Sequence, residues 1–387
     1  MTDAESQPLL EPSQQSRSNP SLVASARWLI LNSRINLLTV FVPLGILAKV
    51  LNWGPLAIFL FNFIAIVPLA KLLGDATEQV SIRVGQTIGG LLNATFGNAV
   101  ELIVAVAALF QGQLRIVQMS LVGSILSNLL LVLGCSFVAG GIYRSENTFA
   151  QTAAQASGSI MTLGCFTMVV PAAYFSSILD SNVPVSPDSA EAGLLFISRG
   201  TSLILLAIYA GYIVFQLRTH SYLYAVEEEE GEQEKMSPKA AVIALLVITI
   251  ITSFNADYLV SAIDDVARDY HISKAFIGII LLPLVGNAAE HVTSIWMAAK
   301  NKMEIALGVA IGSSIQIAVG LVPMLVIVGW MIGQPLTLYF HTFETTTLFV
   351  TVLLVNTLIQ DGKSNYLEGA MLVGLYIVIA LSFWVRA

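Results

Sequence analysis

Gly97-Asn98-Ala99-Val100-Glu101 lies inside an apolar stretch of membrane length, and Gly286-Asn287-Ala288-Ala289-Glu290 repeats the phrase 189 residues later in a similar stretch. A carboxylate near the centre of a bilayer costs roughly 3 kcal/mol or more, so charged residues there are rare and usually functional. Two carboxylates in matching contexts therefore indicate one shared, charged ligand near the membrane centre, where the internal repeats of transporters meet.

The 189-residue spacing continues outside the repeated phrase without a gap. The pairs in register are Asp75 with Asp264, Gly89 with Gly278, and Gly123-Ser124 with Gly312-Ser313. The chain is therefore an internal duplication, and the duplicated phrase marks the candidate site.

The composition predicts an all-α, polytopic integral membrane protein. Charged residues make up 11% of the chain and hydrophobic residues 56%, with a mean hydropathy of +0.79, whereas soluble domains carry about 25% charged residues. A transmembrane barrel would need segments of about ten residues with alternating polarity, which the sequence lacks. The sequence instead has eleven apolar runs, each near the ~20 residues of a spanning helix: 35–51, 54–73, 87–110, 114–141, 151–175, 199–217, 240–262, 275–299, 304–332, 342–360 and 365–385.

These spans predict one extra helix followed by two repeats. Residues 1–34 form a polar N-terminal tail, 35–53 the extra first helix, 54–217 the first repeat, 218–239 an acidic linker and 240–387 the second repeat. Five spans in each repeat make the second repeat inverted relative to the first, which is the plan of many secondary transporters. Twelve of the 18 Lys and Arg residues then lie on the N-terminal side, so the positive-inside rule predicts a cytosolic tail and linker.

The repeated phrase places oxygen ligands on one helix face. Asn98 and Glu101 are three residues apart, as are Asn287 and Glu290, so each amide and carboxylate point to the same side. Pro283 precedes the second copy, and a proline in a membrane helix frees backbone carbonyl oxygens. Carboxylate, amide and carbonyl oxygens are the ligands that hard cations such as Ca²⁺ prefer.

A second duplicated motif adds further candidates. Gly123-Ser124-Ile125-Leu126-Ser127-Asn128 and Gly312-Ser313-Ser314-Ile315-Gln316 stand in the same register. Ser124, Ser313 and Gln316 are candidate ligands for the same cation, although such residues also serve close packing between membrane helices.

Less specific interpretations apply to several acidic and basic residues. The alternative for Glu101 and Glu290 is a buried, protonated structural carboxyl that a neighbouring group satisfies. His291 is next to Glu290 and is a candidate for proton transfer, although it points to a different helix face. Asp75 and Glu78 are expected at a helix end, where solvent would cover their charge.

Other classes of function have little support in the sequence. Cys135 and Cys165 lie inside apolar runs and predict neither a disulfide nor a metal cluster. The net charge of −7 gives no electrostatic footprint for nucleic acid. There is no nucleophile with a base, no zinc-ligand spacing and no phosphate-binding loop, so we expect neither an enzyme nor a cofactor.

The motifs carry a family resemblance. Gly89–Glu101 and Pro283–His291 resemble the two signature repeats of the cation/proton exchangers of fungal and plant vacuoles. Gly123–Asn128 and Gly312–Gln316 resemble that family's second pair of motifs, and all four occur in the expected order. The resemblance extends over about residues 35–385 and is greatest to the fungal Ca²⁺/H⁺ exchangers of the family.

The resemblance implies eleven membrane helices and a Ca²⁺ site formed by Glu101 and Glu290 with Asn98, Asn287 and backbone oxygens, with Gln316 and the serines nearby. It also implies a protein of the vacuolar membrane in which protons drive Ca²⁺ from the cytosol into the lumen. Its partners would be Ca²⁺, H⁺ and the bilayer, with Ca²⁺ as transported substrate. Mn²⁺ accepts the same oxygen ligands and stays an alternative cargo.

The two carboxylates predict how protons could be coupled to the cation. Carboxylates close together in a low dielectric repel each other when both are ionised, so at least one should hold a proton without a cation. A bound Ca²⁺ favours both charged forms and displaces protons. Glu101 and Glu290 could therefore carry either Ca²⁺ or protons.

The linker between the repeats leaves two interpretations open. Its six glutamates are Glu227, Glu228, Glu229, Glu230, Glu232 and Glu234. They form either a partly helical cytosolic segment that attracts Ca²⁺ or adjusts the two halves, or a plain solvated linker.

Two rival functions also remain at this point. A Na⁺-coupled calcium exchanger would share the inverted repeats and the glutamates, but should carry additional hydroxyl and acidic groups for sodium. A cation channel usually forms its pore from subunit symmetry, whereas two inverted halves in one chain suit alternating access.

Overall fold

The computed structural model describes residues 20–84, 86–179, 187–223 and 235–385. Helices dominate these residues, which confirms the predicted all-α class. The helices are α1 (Leu22–Leu31), α2 (a 3₁₀ turn Arg34–Val40 continued by Phe41–Val50), α3 (Pro55–Val84), α4 (Gln86–Phe96), α5 (Ala99–Phe110), α6 (Leu114–Leu126, a π-helical turn Ser127–Val132, and Leu133–Tyr143), α7 (Gln151–Leu179), α8 (Pro187–Val214 with a π-helical turn Phe215–Thr219), α9 (Pro238–Asp269), α10 (Lys274–Gly286 with a π-helical turn Ile277–Leu281), α11 (Ala288–Ala299), α12 (Met303–Ile315, a π-helical turn Gln316–Leu321, and Val322–Ile332), α13 (Thr342–Leu358) and α14 (Tyr366–Val385), with a 3₁₀ turn at Ser221–Leu223.

Two short strands join the repeats at the end of the bundle. β1 (Asn147–Thr148) pairs antiparallel with β2 (Lys363–Ser364). Lys363 Nζ lies 3.0 Å from Glu146 Oε2, and this neighbour raises the pKa of the Lys363 ammonium. The pair fixes the connection after α6 to the connection before α14.

The helices are long and apolar enough for a multi-pass membrane protein. Among the described residues, seven helices could each cross a membrane, and three bent pairs raise that number to ten. The bends are 99° between α1 and α2, 48° between α4 and α5, and 57° between α10 and α11. Eleven spans would require the 17-residue helix α13 to cross as well, so that count stays a prediction.

The duplication is visible residue by residue in the secondary structure. α5 begins at Ala99 and α11 at Ala288, and the π-helical turns Ser127–Val132 and Gln316–Leu321 occupy corresponding positions. Each of these starts is separated from its counterpart by the same 189 residues seen in the sequence. The two halves therefore share their breaks and turns as well as their helices.

The contacts between the halves show that the repeats are inverted. Asp75, in the last third of α3, lines the same cavity as Glu304 in the first turn of α12. Asp264, near the end of α9, accepts a hydrogen bond from Gln113, just before α6. The end of α3 thus lies beside the start of α12, and the end of α9 lies beside the start of α6. Parallel repeats would place these ends on opposite sides.

Each repeat breaks at its central asparagine. Asn98 (φ −105°, ψ 30°) and Asn287 (φ −83°, ψ 16°) leave the helical conformation between α4 and α5 and between α10 and α11. Pro283 contributes to the second break because it cannot donate the N–H that a continuous helix requires. The breaks bring the N-terminal ends of α5 and α11, which carry partial positive charge, to the middle of the bundle.

A pair of glycines shows that the halves are not in the same conformation. A Cβ on Gly123 would lie 2.2 Å from the Ile279 carbonyl oxygen, so α6 packs tightly on α10. The counterpart Gly312, in α12, has no atom within 4 Å of such a Cβ and lines the cavity instead. One side of the molecule is therefore closed and the other open.

The N-terminal region differs from the predicted plain tail. Residues 22–31 of the predicted 1–34 tail form α1, and Ser25 Oγ accepts a hydrogen bond from the Ser237 backbone N–H. Gln79 Oε1, on α3, accepts from the backbone N–H of Met236. The six linker glutamates from Glu227 to Glu234 lie outside the described residues.

The two glycines give a matched test of the asymmetry. We expect Gly123→Ala to lower the unfolding temperature of the detergent-purified protein, because overpacking costs about 1–3 kcal/mol. Gly312→Ala should leave the unfolding temperature close to wild type, since its Cβ meets open space. Equal losses in both variants would contradict the one-sided packing.

Candidate cation site between the repeats

A cavity of about 740 Å³ penetrates the bundle between the two repeats. Glu101 on α5 and Glu290 on α11 both line it, so the structure brings the two predicted carboxylates to one place. Because both carboxylates line one cavity in an apolar interior, they would repel each other when both are ionised. The cavity also reaches exposed residues such as Glu304, which connects this centre to one face of the protein.

Four buried side-chain oxygens lie at or just after the two breaks. They are Asn98 Oδ1, Glu101 Oε1, Asn287 Oδ1 and Glu290 Oε2, and none has a hydrogen-bond partner among the described residues. The two carboxylates line the cavity, whereas Asn98 and Asn287 are not among its lining residues. A buried polar atom without a partner costs about 1–3 kcal/mol, so all four oxygens are candidate ligands of a cation. This arrangement is the structural observation that favours a cation site.

Each asparagine is oriented by the opposite repeat. Asn98 Nδ2 donates to Gln316 Oε1 on α12 at 2.5 Å, and Asn287 Nδ2 donates to the Ser124 carbonyl oxygen on α6 at 3.2 Å. Because each amide nitrogen is engaged across the repeat interface, each Oδ1 is left for another ligand. The site is therefore assembled from both halves.

The cavity ends at Glu101. A Cβ on Gly286 would lie 3.2 Å from Glu101 Oε1, so this glycine makes room for the carboxylate. Beyond it lies a void of about 20 Å³ whose wall includes Leu121, Leu259 and Leu282. The apolar wall and the small volume close the path on the far side of the carboxylate.

The other predicted site residues occupy different positions. Ser313 and Gln316 line the cavity, whereas Ser124 borders the small void. His291 is absent from the described lining of the cavity, and its Nδ1 lies 2.8 Å from the Asn287 carbonyl oxygen. The structure thus connects His291 to the break beside Glu290, without placing its ring in the cavity.

Further residues line the cavity. Tyr212 had no signal in the sequence, Asn93 shares a helix face with Glu101, and Glu78 was expected at a solvated helix end. The expectation for Asp75 was wrong. Its side chain is buried inside α3, with 7% of its surface exposed, where it bonds to Lys71 and accepts from Asn32 Nδ2 at 2.9 Å. The register with Asp264 was the signal that Asp75 is more than a solvated helix end.

The donor set suits a transported cation. Within the described residues there is no group of three or more His, Cys, Asp or Glu side chains suited to a metal ion. Two carboxylates with amide and carbonyl oxygens instead match the oxygen ligands of Ca²⁺ or Mn²⁺.

Comparison with known families and relatives agrees with this geometry. The family profile described as sodium/calcium exchanger protein matches residues 54–218 and 240–385. The vacuolar calcium ion transporter of Schizosaccharomyces pombe is 48% identical over 94% of this chain and 88% of its own length. The vacuolar cation/proton exchanger 2 of Oryza sativa subsp. japonica is 44% identical over 94% of this chain and 84% of its own length.

A solved structure shows a similar fold. The crystal structure of the Ca²⁺/H⁺ antiporter protein YfkE has a TM-score of 0.75 and 35% sequence identity. The similarity covers 90% of this chain and 98% of that chain.

Gly286 offers a test that leaves both carboxylates in place. Gly286→Ala should weaken Ca²⁺ binding by roughly three- to tenfold, because its Cβ displaces the Glu101 carboxylate. Gly308→Ala is the control, since Gly308 lines the same cavity but has open space around a Cβ. Isothermal titration of the purified variants measures both. Wild-type affinity in Gly286→Ala would show that the position of Glu101 does not govern binding.

Proposed function

Because the chain belongs to the sodium/calcium exchanger protein family, we propose that it is a secondary active antiporter that exchanges cytosolic Ca²⁺ for lumenal H⁺. The four buried oxygens shared by the two repeats are the observation that carries this proposal. The names of the fungal and plant relatives, and of YfkE, support Ca²⁺ and H⁺ as the exchanged ions.

The proposed Ca²⁺ site has Glu101 and Glu290 as charged ligands and the Oδ1 atoms of Asn98 and Asn287 as neutral ligands. Ser313 and Gln316 line the approach, and Gln316 holds the amide of Asn98. Ser124 contributes its backbone carbonyl, which orients Asn287. Carbonyl oxygens freed at the two breaks complete the shell, since Ca²⁺ takes about six to eight oxygens.

The proposed cycle is alternating access between the inverted repeats. The present conformation is open on the side of Gly312 and closed on the side of Gly123. Exchanging the conformations of the two halves would open the opposite face around the same central carboxylates. The ion would then need no continuous pore.

We place the protein in the vacuolar membrane with a cytosolic N-terminus. The names of the relatives support the vacuole, and the distribution of Lys and Arg supports the orientation. In this orientation the open cavity faces the cytosol, because the end of α3 lies on the same side as the linker. The conformation is then the one that receives Ca²⁺.

Protons are coupled through the same two carboxylates. Without a cation, repulsion between Glu101 and Glu290 in an apolar interior favours a proton on at least one of them. Ca²⁺ binding releases protons because the ligating carboxylates must be ionised. An acidic lumen then returns protons to the carboxylates and displaces Ca²⁺.

His291 has a supporting part in this scheme. Its ring contacts the carbonyl oxygen of Asn287, so it can respond to the cation through the break rather than by direct contact. The acidic residues Glu227 to Glu234 could concentrate Ca²⁺ at the cytosolic entrance, where the linker joins α9 at Ser237.

Reconstituted vesicles with imposed gradients test the exchange directly. We expect Ca²⁺ uptake to follow an outward proton gradient and not a sodium gradient, which separates the proposal from a Na⁺-coupled exchanger.

Glu101→Gln and Glu290→Gln should each abolish uptake, because each removes a charged ligand. Asn98→Ala and Asn287→Ala should lower affinity less, since hydrogen bonds and ligands that carry charge are about twice as strong as neutral ones. Uptake without counter-movement of protons would reject the proposal.

The shared carboxylates also predict a pH dependence. Apparent Ca²⁺ affinity should fall as the pH falls, because protons compete with Ca²⁺ for Glu101 and Glu290. Equilibrium binding to the detergent-purified protein between about pH 5.5 and 8 measures this. A flat profile would show that the proton route lies elsewhere, and a flat profile only in a His291→Gln variant would assign the competition to His291.

A further inference from the structure

The same tight turn occurs twice, once in each repeat. Gln111–Gln113 joins α5 to α6, and Lys300–Lys302 joins α11 to α12. Their middle residues, Gly112 and Asn301, have φ values of 70° and 68°. Corresponding backbone hydrogen bonds stabilise both turns, including Gln113 N–H to Ala108 O at 2.8 Å and Lys302 N–H to Met297 O at 2.9 Å. The two turns are therefore structural counterparts at opposite faces.

The first turn is bound to the opposite repeat. Gln113 Nε2 donates to Asp264 Oδ2 at 2.7 Å, and Gln111 Nε2 donates to Asp257 Oδ1 at 2.7 Å. Asp264 also pairs with Lys274 Nζ, at the start of α10, at 2.7 Å. These contacts lie on the closed side of the molecule and connect the turn after α5 with α9 and with the start of α10.

The second turn stands apart from its corresponding acid in this conformation. In the 189-residue register the counterpart of Asp264 is Asp75, and the counterpart of Gln113 is Lys302. Asp75 lines one wall of the open cavity, while Met297 and Glu304, which flank the second turn, line it as well. The mouth of the open cavity thus lies between Asp75 and the turn Lys300–Lys302.

We propose that Asp75 and Lys302 form an ion pair that closes this face when the opposite face opens. If the two repeats exchanged their conformations, Lys302 would contact Asp75. This contact would correspond to the present hydrogen bond between Gln113 and Asp264. Lys302 has other interactions in the present conformation, so the pair forms by exchange of partners. Asp75 can keep Lys71 at Oδ1 while Oδ2, which now accepts from Asn32 Nδ2, exchanges this partner for Lys302.

The register also provides a matched control on the same turn. Lys300 is the counterpart of Gln111, and its partner position is Pro68, the counterpart of Asp257. A proline side chain has no acceptor atom, so Lys300 gains no ion pair on closure. The backbone carbonyl, which Gln111 also uses at Asp257, is the only acceptor that Pro68 can offer. Lys302 therefore has a closing role that Lys300 lacks.

Cross-linking tests the pair without relying on the identity of the ion. In a Cys135→Ser, Cys165→Ser background, Gln113→Cys/Asp264→Cys joins the face that is closed here, and Asp75→Cys/Lys302→Cys joins the proposed alternate contact. Each pair connects the two halves of the chain, so after protease cleavage in the linker the cross-linked halves migrate together until a reductant separates them.

We expect the first pair to cross-link in the purified protein and the second to accumulate in vesicles during turnover. Either cross-link should stop transport, a reductant should restore it, and no molecule should carry both. Absence of the second cross-link during transport, or both cross-links in one molecule, would overturn the proposal. The proposed ion pair rests on the proposed alternating access. If either prediction for the cross-links failed while proton-driven Ca²⁺ uptake was intact, the ion pair alone would be rejected.

Charge substitutions provide the second measurement. Lys302→Glu should slow transport by roughly tenfold through repulsion of Asp75, while Ca²⁺ affinity of the cytosol-open form stays unchanged. Lys300→Glu makes the same change of charge and should transport close to the wild-type rate. Asp75→Asn combined with Lys302→Glu should recover part of the rate, since an amide can donate to the new carboxylate. Equal losses for Lys302→Glu and Lys300→Glu would show a general charge effect and reject the specific pair.

Discussion

Two carboxylates in an apolar interior are the constraint on which the rest of the structure depends. Ionised, unpaired carboxylates are costly there, so the surrounding chain has to supply compensating groups. The helix breaks at Asn98 and Asn287 do so because new helices begin at Ala99 and Ala288, two residues before Glu101 and Glu290. Each carboxylate thereby lies in the first turn of its helix, where the helix dipole favours negative charge.

The duplication makes the site symmetric, whereas the packing around it is not. Asn98 is held by Gln316 and Asn287 by Ser124, so each repeat orients the asparagine of the other. Around this centre, α6 contacts α10 closely while α12 faces a cavity. The duplicated sequence can therefore support two equivalent conformations of the protein, in which the closed side and the open side are exchanged.

The sequence predicted the centre of the molecule better than its edges. The meeting of Glu101 and Glu290 in one cavity was predictable because an exact register and an apolar context constrain where two buried acids can lie. The end of α3 was missed because an apolar run stops where charges begin, while the helix continues to Val84 with Asp75 buried inside it. Helix α1 was missed for a related reason, since its ten residues are too few to span a bilayer. The hydrogen bond between Asn98 and Gln316 joins residues 218 positions apart, and only the packing of the halves determines such a contact.

The repeats agree at the two breaks and differ in charge at the two faces. The asparagines and glutamates at the breaks are the same in both halves, as an ion reached from either face requires. At the faces, the counterparts differ in charge: Arg115 pairs with Glu344 at 2.5 Å, whereas its counterpart Glu304 accepts from the Ala150 backbone N–H at 3.0 Å. The two faces of a vacuolar antiporter are exposed to compartments of different pH. Identical ion pairs would therefore differ in strength between the two faces. The repeats can therefore share one backbone conformation and one ion site. The charged residues that close each face can differ, because each face is exposed to a different compartment.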